Sequence, residues 1–311
     1  FDPRARGFDV ERARAIDARL PAALPPLVGA GEPAGRIDGG GSRWSGLPAG
    51  TLVSAGGGDN MMSAIGSGAT CPGVVVLSLG TSGTVFTHCP EPVIDPEGLI
   101  APFCASIGGW LPLLCVMNLT GVSEEVRALT GRSHGELTEL AARVPPGCEG
   151  LLWLPYLAGE RVPDLPDASG SLLGLRVGHL RPGHLYRAAL EGTSLNLAWG
   201  VERMRQLGIA VDELRLVGGA ARNPLWRAIL ASALAVPVRE LAEHESAALG
   251  AGLQALWTWR RSQGEMITAH EVARPFVHLS GEAALPQASW TRTYREALSR
   301  LKNQVEALYP R

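Results

Sequence analysis

The sequence of 311 residues predicts an α/β fold. The first observation is that short apolar runs, of the length of buried strands, alternate with longer segments of helical periodicity. The second is that three of these runs end in a glycine-rich turn. The third is that no segment repeats at an interval of roughly 20–50 residues, which argues against a solenoid or a propeller.

The individual elements follow from periodicity and from the residues that bound each segment. Short apolar runs next to glycine or proline predict strands over residues 51–55, 74–79, 84–87, 151–154, 214–217 and 236–241. Apolar residues at helical spacing predict helices over residues 9–20, 59–68, 121–130, 134–143, 183–206, 224–234, 246–259 and 290–308. Pro21 is expected to end the first helix, and residues 25–50 and 155–170 predict loops.

The composition excludes several classes of function. The net charge is −2, so the chain lacks the basic surface with which proteins bind nucleic acid or anionic lipid. No apolar run approaches the roughly 20 residues that a membrane-spanning helix requires. No secretory signal is visible, and the first residue is Phe1, which predicts a natural start further upstream. We expect a cytoplasmic protein.

Cysteine and lysine usage excludes further kinds of site. The five cysteines include no CxxC pair, which disfavours a disulfide framework or a zinc site and fits a reducing compartment. Lys302 is the only lysine, and it lies in a predicted helix where we expect it to be solvated. A P-loop and a Schiff-base enzyme both need a lysine in the site, so neither class is expected.

The first glycine-rich turn is Gly56-Gly57-Gly58, which Asp59 and Asn60 follow at the start of a predicted helix. The positive end of the helix dipole favours an ionised carboxylate there. Such a carboxylate can accept a proton from a bound hydroxyl group within hydrogen-bonding reach. Asp59 is equally a residue type that caps helices, and spacing alone favours that simpler role.

The second turn is Gly80-Thr81-Ser82-Gly83, between two predicted strands that form a hairpin. Its glycines expose backbone N–H groups, and its two hydroxyl groups can bind phosphate oxygens. An ordinary hairpin turn favours the same residues, so this signal alone is weak.

The third turn is Gly218-Gly219-Ala220-Ala221, which precedes Arg222-Asn223 and a helix. Small side chains would let a purine or its α-phosphate approach the backbone, and Asn223 would contact the base. The alternatives are close packing of strand on helix, and Asn223 as an N-cap before Pro224. One such turn is common, but three on one chain suggest a polyphosphate site.

Three further signals are weaker. Arg161, in the sequence Gly159-Glu160-Arg161, has the charge to bind an anion, but Glu160 is placed to neutralise it. His179 and His184 are poorly spaced for two ligands on one helix face, so loop or capping roles are favoured. Residues 250–255 imitate a dinucleotide-binding fingerprint, but they lie inside a predicted helix, so we reject that interpretation.

Taken in order, these segments resemble the FGGY carbohydrate kinases, and within that family the xylulokinase type. The resemblance rests on GGGDN at 56–60, LSLGTSGT at 77–84, WLPYLAGERVP at 153–163, GSLLGLRVGHLRPGHLYRAALEG at 170–192, LVGGAARNPLW at 216–226 and ESAALGAGLQAL at 245–256. Each motif is moderately specific, and their order along nearly the whole chain is highly specific.

The resemblance implies an actin-like ATPase (ribonuclease H-like) fold of two domains around a cleft. Residues 1–70 would be the end of the first, sugar-binding domain with its hinge, and residues 71–311 the second, ATP-binding domain. Asp59 would be the general base, and Asp59 and Asn60 would bind the sugar. The residues implied in nucleotide binding are Gly80, Thr81, Ser82, Gly218, Gly219, Ala220 and Asn223.

The implied reaction is phosphorylation of a pentulose by ATP with Mg²⁺, with D-xylulose giving D-xylulose 5-phosphate. Ribulose, glycerol and gluconate are alternative acceptors, and a homodimer is left open. The family's first phosphate hairpin, with its metal-proximal aspartate, has no counterpart here, and no residue is assigned to the metal. The chain is therefore expected to lack most of the sugar pocket, so a nucleotide-binding, catalytically incomplete fragment is the alternative.

Overall fold

The computed structural model of the chain describes residues 1–243 and 245–310. Its helices are α1 Val10–Ile16, α2 Leu20–Ala23, α3 Gly39–Ser45, α4 Asp59–Gly66, α5 Thr120–Thr130, α6 His134–Ala142, α7 Pro182–Gln206, α8 Pro224–Leu234, α9 Ser246–Ser262, α10 Ala269–Ala273 and α11 Ala288–Leu308. Its strands are β1 Pro33–Arg36, β2 Leu52–Ser54, β3 Gly73–Leu79, β4 Gly83–Thr87, β5 Ile100–Cys104, β6 Trp110–Val116, β7 Leu152–Leu154, β8 Ser171–Leu173, β9 Val211–Val217, β10 Val238–Leu241 and β11 Leu279–Ala284.

A mixed sheet of seven strands organises the fold, in the order β11-β10-β9-β3-β4-β6-β5. β3 runs parallel to β9, and β9 runs parallel to β10, whereas the remaining pairs are antiparallel. Leu79 pairs with Gly83 at the end of the β3–β4 hairpin, and Ser78 pairs with Val217 of β9. The second and third glycine-rich turns therefore leave neighbouring strands at the same edge of the sheet.

The two faces of the sheet bury different helices because side chains alternate along each strand. Leu77, Val85 and Leu114 point to the face that α5, α7 and α8 cover, and these residues share the largest apolar cluster. Val76 and Phe86 point to the opposite face, where Ala64 of α4 belongs to the cluster. The sheet thus separates α4 from the long helices.

The predicted α/β class is confirmed, and the hairpin and the helix over 224–234 have the predicted bounds within a residue. The helix predicted over 9–20 is wrong in extent, because it ends at Ile16. Pro21 does not end a helix; it lies in the first turn of α2, where its missing N–H costs nothing.

Several elements were not predicted from the sequence. The loop prediction for residues 25–50 is wrong at β1 and α3. The sheet strands β5 and β6 were missed because each contains a proline, and Pro102 pairs with Pro112 across the ladder. The short strand β8, the helix α10 and the edge strand β11 were also missed. No described helix is long and apolar enough to cross a membrane.

Candidate active site

The first turn connects β2 to α4 and leaves Asp59 exposed at the first position of that helix. Gly56 has a φ of +72°, a left-handed conformation that glycine adopts without strain. The N-cap of α4 is Gly58, so the alternative in which Asp59 caps its own helix is wrong. Among the described residues, the one hydrogen bond of its carboxylate is the bond that Oδ1 accepts from the neighbouring N–H of Asn60, at 2.8 Å. The carboxylate is therefore open to a ligand.

A side-chain hydrogen bond joins the first turn to the second. The Thr84 hydroxyl group donates to Oδ1 of Asn60 at 3.2 Å. Thr84 is the second residue of β4, next to the hairpin turn, and Asn60 lies in the first turn of α4. The N-terminus of α4 and the hairpin are therefore adjacent on one face of the sheet.

The hairpin turn is held by its backbone, while its side chains stay exposed. Leu119 donates to the Thr81 carbonyl at 3.0 Å, and Thr120 donates to the Gly80 carbonyl at 3.1 Å. Thr81 and Ser82 are exposed, and within the described residues neither hydroxyl group has a hydrogen-bond partner. The turn thus presents two hydroxyl groups on a fixed backbone, as a phosphate site requires.

The third turn packs directly against the end of β3. Gly218 has a φ of +97°, and a Cβ built there would lie 2.7 Å from the Leu79 carbonyl oxygen. Gly219 is different, because no atom lies within 4 Å of its Cβ position. Gly218 is therefore required by close packing, but against strand β3 and not between strand and helix as the alternative had it, whereas Gly219 faces open space.

A cavity of about 720 Å³ opens beside the third turn, on the face of the sheet opposite α4. It has the size of ordinary small-ligand pockets. Gly219, Ala220 and Asn223 line it together with Leu79, Thr138 and Tyr186. Gly80, Thr81, Ser82 and Gly218 are not among its lining residues; they lie at the sheet edge between this cavity and Asp59.

Asn223 helps to build the wall of the cavity. Its Oδ1 accepts the N–H groups of Leu225 and Trp226, so the N-cap alternative is confirmed. Its Nδ2 donates to the Thr138 hydroxyl group at 3.0 Å, which joins α8 to α6. These bonds occupy its amide oxygen and one amide hydrogen.

A polar chain at the rim of the cavity was missed at the sequence level. Nδ1 of His134 lies 2.8 Å from the Tyr186 hydroxyl group, and its Nε2 lies 2.7 Å from Glu124. Burial raises the pKa of Tyr186. These residues come from α6, α7 and α5, so their spacing along the chain did not indicate that the three side chains would meet.

Within the described residues, Glu160 forms no ion pair with the Arg161 guanidinium; it accepts hydrogen bonds from the surrounding loop. The Glu160 carboxylate is 2% exposed and accepts the N–H groups of Met117 and Arg161 and the amides of Asn118 and Asn196. Burial raises its pKa, and these donors oppose that shift. It therefore anchors the loop through four hydrogen bonds.

The Arg161 side chain is exposed and lies beside Cys115 of β6. Burial raises the pKa of the Cys115 thiol, and the nearby Arg161 charge opposes that shift. Cys115 pairs with Thr84 across the β4–β6 ladder, so the two side chains share a face of the sheet. A positive charge therefore lies on the face that carries the first turn.

The remaining candidates have structural roles. His179 and His184 stack at 5.5 Å between ring centroids, and Glu149 bonds to His184 at 3.1 Å. Within the described residues, no group of three or more histidine, cysteine or acidic side chains is arranged to hold a metal. Residues 250–255 lie inside α9, as predicted, so the rejection of a dinucleotide fingerprint there stands. Lys302 lies on α11 and pairs with Glu202.

Comparison with known proteins extends these observations. The profile of the C-terminal domain of the FGGY family of carbohydrate kinases matches residues 75–259. The xylulose kinase of Haemophilus influenzae is 36% identical over 302 residues, which cover 97% of this chain and 60% of that protein. The gluconokinase of Bacillus subtilis is 32% identical over 214 residues, which cover 64% of this chain and 41% of that protein. The chain thus spans about 60% or less of these relatives.

Solved structures agree in fold. The xylulose kinase from Rhodospirillum rubrum superimposes with a TM-score of 0.81 at 28% identity, covering 94% of this chain and 60% of that one. The glycerol kinase of Plasmodium falciparum with ADP gives 0.85 at 16% identity, covering 100% and 61%, which is evidence for the fold alone. The predicted actin-like ATPase fold is confirmed.

Proposed function

Because this chain belongs to the FGGY family of carbohydrate kinases, we propose that it forms the ATP-binding part of a kinase that phosphorylates a pentulose. We propose D-xylulose as the substrate and D-xylulose 5-phosphate as the product, since relatives that are 36% and 39% identical to this chain are xylulose kinases. The observation that carries the proposal is the hydrogen bond between Thr84 and Asn60. It joins the helix of the proposed base to the proposed phosphate hairpin.

The nucleotide would lie across the edge of the sheet. Its adenosine would occupy the 720 Å³ cavity against Gly219, Ala220 and Asn223. Its phosphates would pass Gly218 and bind Gly80, Thr81 and Ser82. The two hydroxyl groups of Thr81 and Ser82 have no partner in the described residues. This path leads the γ-phosphate from one face of the sheet to the other, where α4 begins.

Asp59 would accept the proton of the attacking sugar hydroxyl group, and Asn60 would help to orient the sugar. The carboxylate is exposed at the N-terminus of α4, so the helix dipole favours its ionised form. A carboxylate is a weak base for an alcohol, but phosphoryl transfer has a loose transition state in which positioning and charge stabilisation dominate. Arg161 would stabilise charge on the transferred phosphoryl group.

Mg²⁺ would enter with the nucleotide. The described residues offer hydroxyl groups and one exposed carboxylate near the hairpin, but no cluster that could retain a metal ion by itself. This donor set suits Mg²⁺, which is commonly held by phosphates, waters and one or two carboxylates. When bound, the ion neutralises charge on the phosphates. We also propose that residues 1–70 belong to a sugar-binding domain with its hinge, and residues 71–311 to the ATP-binding domain.

Calorimetry and a turnover assay together test the proposal. The chain should bind ATP with Mg²⁺, and ADP release should depend on xylulose and disappear in Asp59→Ala. Binding without turnover would favour the second candidate, a catalytically incomplete nucleotide-binding fragment, which the 60% coverage of the relatives supports. A panel of xylulose, ribulose, glycerol and gluconate decides the acceptor. Absence of nucleotide binding would contradict both candidates.

A further inference from the structure

The loop that precedes Asp59 is held by a buried glutamine on another helix. Gln254 of α9 is 1% exposed. Its Oε1 accepts the N–H of Gly56 at 2.9 Å, and its Nε2 donates to the Gly56 carbonyl at 3.0 Å and to the Ser106 carbonyl at 3.1 Å. Rotating the amide by half a turn would oppose like groups at all three contacts, so its orientation is unique.

Gly56 lies outside regular structure, where its backbone groups bond to this side chain. β2 ends at Ser54 and α4 begins at Asp59, so neither a ladder nor a helix satisfies the backbone groups of Gly56. Gly56 is exposed, so water could satisfy these groups; Gln254 instead bonds to both of them and ties the loop to α9. The Gln254 amide thus makes the two backbone hydrogen bonds that a neighbouring strand would make in a sheet.

The other side of the same loop packs against the turn between β5 and β6. A Cβ built on Gly57 would lie 2.1 Å from the Ser106 Oγ. Gln254 also donates to the Ser106 carbonyl, so the loop, although exposed to solvent, contacts both α9 and this turn. Gly56–Gly58 therefore has little room to shift without breaking contacts on both sides.

The far end of α4 is fixed to α9 as well. A Cβ built on Gly66 would lie 1.9 Å from the Ser246 carbonyl oxygen. A Cβ built on Gly250 would lie 1.8 Å from the Met62 carbonyl oxygen. The two helices thus touch backbone to backbone, which sets the position of α4 along its axis. Gln254 is one turn beyond Gly250 on α9 and fixes the opposite end of α4.

We propose that Gln254 is a positioning residue, which fixes the Gly56–Gly58 loop and thereby the direction of the Asp59 carboxylate. The catalytic part of this inference rests on the proposed function. An apolar side chain of the same length would fill the space, so packing alone does not require an amide. What the amide adds is a fixed backbone at Gly56, and a displacement of about 1 Å at a reacting group can cost about 100-fold in rate.

Two variants separate positioning from packing. Gln254→Met keeps the length of the side chain and removes its three hydrogen bonds. Gln254→Glu places a carboxylate against two carbonyl groups at neutral pH, and on protonation that carboxyl group can donate again to one of them. Burial raises the pKa of a carboxyl group, so this recovery should begin above its ordinary range. Gln263→Glu at the exposed end of α9 is the matched control.

The first measurement is hydrogen exchange at residues 56–60, which needs no turnover. We expect faster exchange in Gln254→Met at every pH, and faster exchange in Gln254→Glu that returns towards the unaltered chain as the pH falls from 8 to 5.5. The exchange rate of each variant is divided by that of the unaltered chain at the same pH. Gln263→Glu should exchange at the same rate as the unaltered chain. The second measurement is kcat. In both Gln254 variants it should fall by up to about 100-fold while the nucleotide KM stays unchanged, and it should recover at lower pH only in Gln254→Glu.

The outcomes are distinguishable from failure of the proposed function. If the unaltered chain binds nucleotide without turnover, hydrogen exchange alone decides whether Gln254 fixes the loop. A lower Tm with unchanged exchange at residues 56–60 would reduce Gln254 to a packing residue and overturn the inference. Unchanged kcat despite faster exchange, in an active enzyme, would overturn its catalytic part.

Discussion

The two faces of the central sheet are built in different ways. On the α4 face, the candidate chemistry depends on backbone position: three glycines, a helix N-terminus and the hydrogen bond from Thr84 to Asn60. On the opposite face, the cavity is lined by the third turn and the end of β3 together with side chains from four helices, α5, α6, α7 and α8. We therefore expect changes on the α4 face to affect turnover, and changes in the cavity to affect nucleotide affinity.

Asp59→Ala should have the largest effect. A general base contributes about 100-fold to 10,000-fold, so we expect kcat to fall by that range while the Kd for ATP with Mg²⁺ changes less than about threefold. Steady-state kinetics and calorimetry measure the two quantities. Asp59→Asn, which keeps the shape, is the control and should lose kcat similarly. A comparable loss of nucleotide affinity would contradict the assignment of turnover to the α4 face and of nucleotide affinity to the cavity face.

Gly218→Ala should be the most destabilising change at the glycine turns. The new Cβ would meet the Leu79 carbonyl oxygen at 2.7 Å, and the φ of +97° is strained for alanine. We expect a loss of about 1–3 kcal/mol in the free energy of unfolding. Urea denaturation measures it, and Gly219→Ala, which meets no atom within 4 Å, is the control. Equal losses in both variants would show that the third turn is not pressed against β3.

Thr84→Val sharpens the comparison within one strand. It removes the hydrogen bond to Asn60 and keeps the side-chain shape, so we expect a kcat about tenfold lower, equivalent to about 1.4 kcal/mol. Thr87→Val removes a hydrogen bond to the Val74 carbonyl, away from the turn. This control should cost about 1 kcal/mol of stability and leave kcat unchanged. Equal kcat values for Thr84→Val and Thr87→Val would contradict the proposal that the bond between α4 and the hairpin supports turnover.

Tyr186→Phe should have the smallest effect. It removes one hydroxyl group, which bonds to His134 at the cavity rim, and leaves the apolar wall in place. We expect the Kd for ATP to rise about threefold to tenfold, equivalent to about 0.6–1.4 kcal/mol and typical of one hydrogen bond, with kcat unchanged. Calorimetry measures it. A change in kcat without a change in Kd would contradict the assignment of this face to the nucleotide.

The sequence predicted the α/β class, the β3–β4 hairpin and the turns at 56–60, 80–83 and 218–223, because glycine and strand signals are local. It missed β5 and β6, since Pro102 and Pro112 read as loop signals although the two residues pair in the sheet. It also missed the roles of Gln254 and Glu160. Both roles depend on partners far along the chain: Gln254 bonds to Gly56, and Glu160 bonds to Met117.

The environment of Asp59 could not be predicted from the local sequence. Spacing alone favoured a helix cap, yet Gly58 occupies the cap position and the carboxylate is exposed. Its neighbour Asn60 bonds to a residue 24 positions away. That contact depends on how α4 packs on the sheet, which no local pattern encodes.

The most direct test is a crystal structure of the chain with Mg²⁺ and a non-hydrolysable ATP analogue. The central claim is that Asp59 and the nucleotide-binding turns form one site. It predicts adenosine in the 720 Å³ cavity, phosphates at Gly80–Ser82 and Gly218, and a γ-phosphate separated from the Asp59 carboxylate by the width of one hydroxyl group. A nucleotide bound away from these turns, or a γ-phosphate directed away from Asp59, would contradict it.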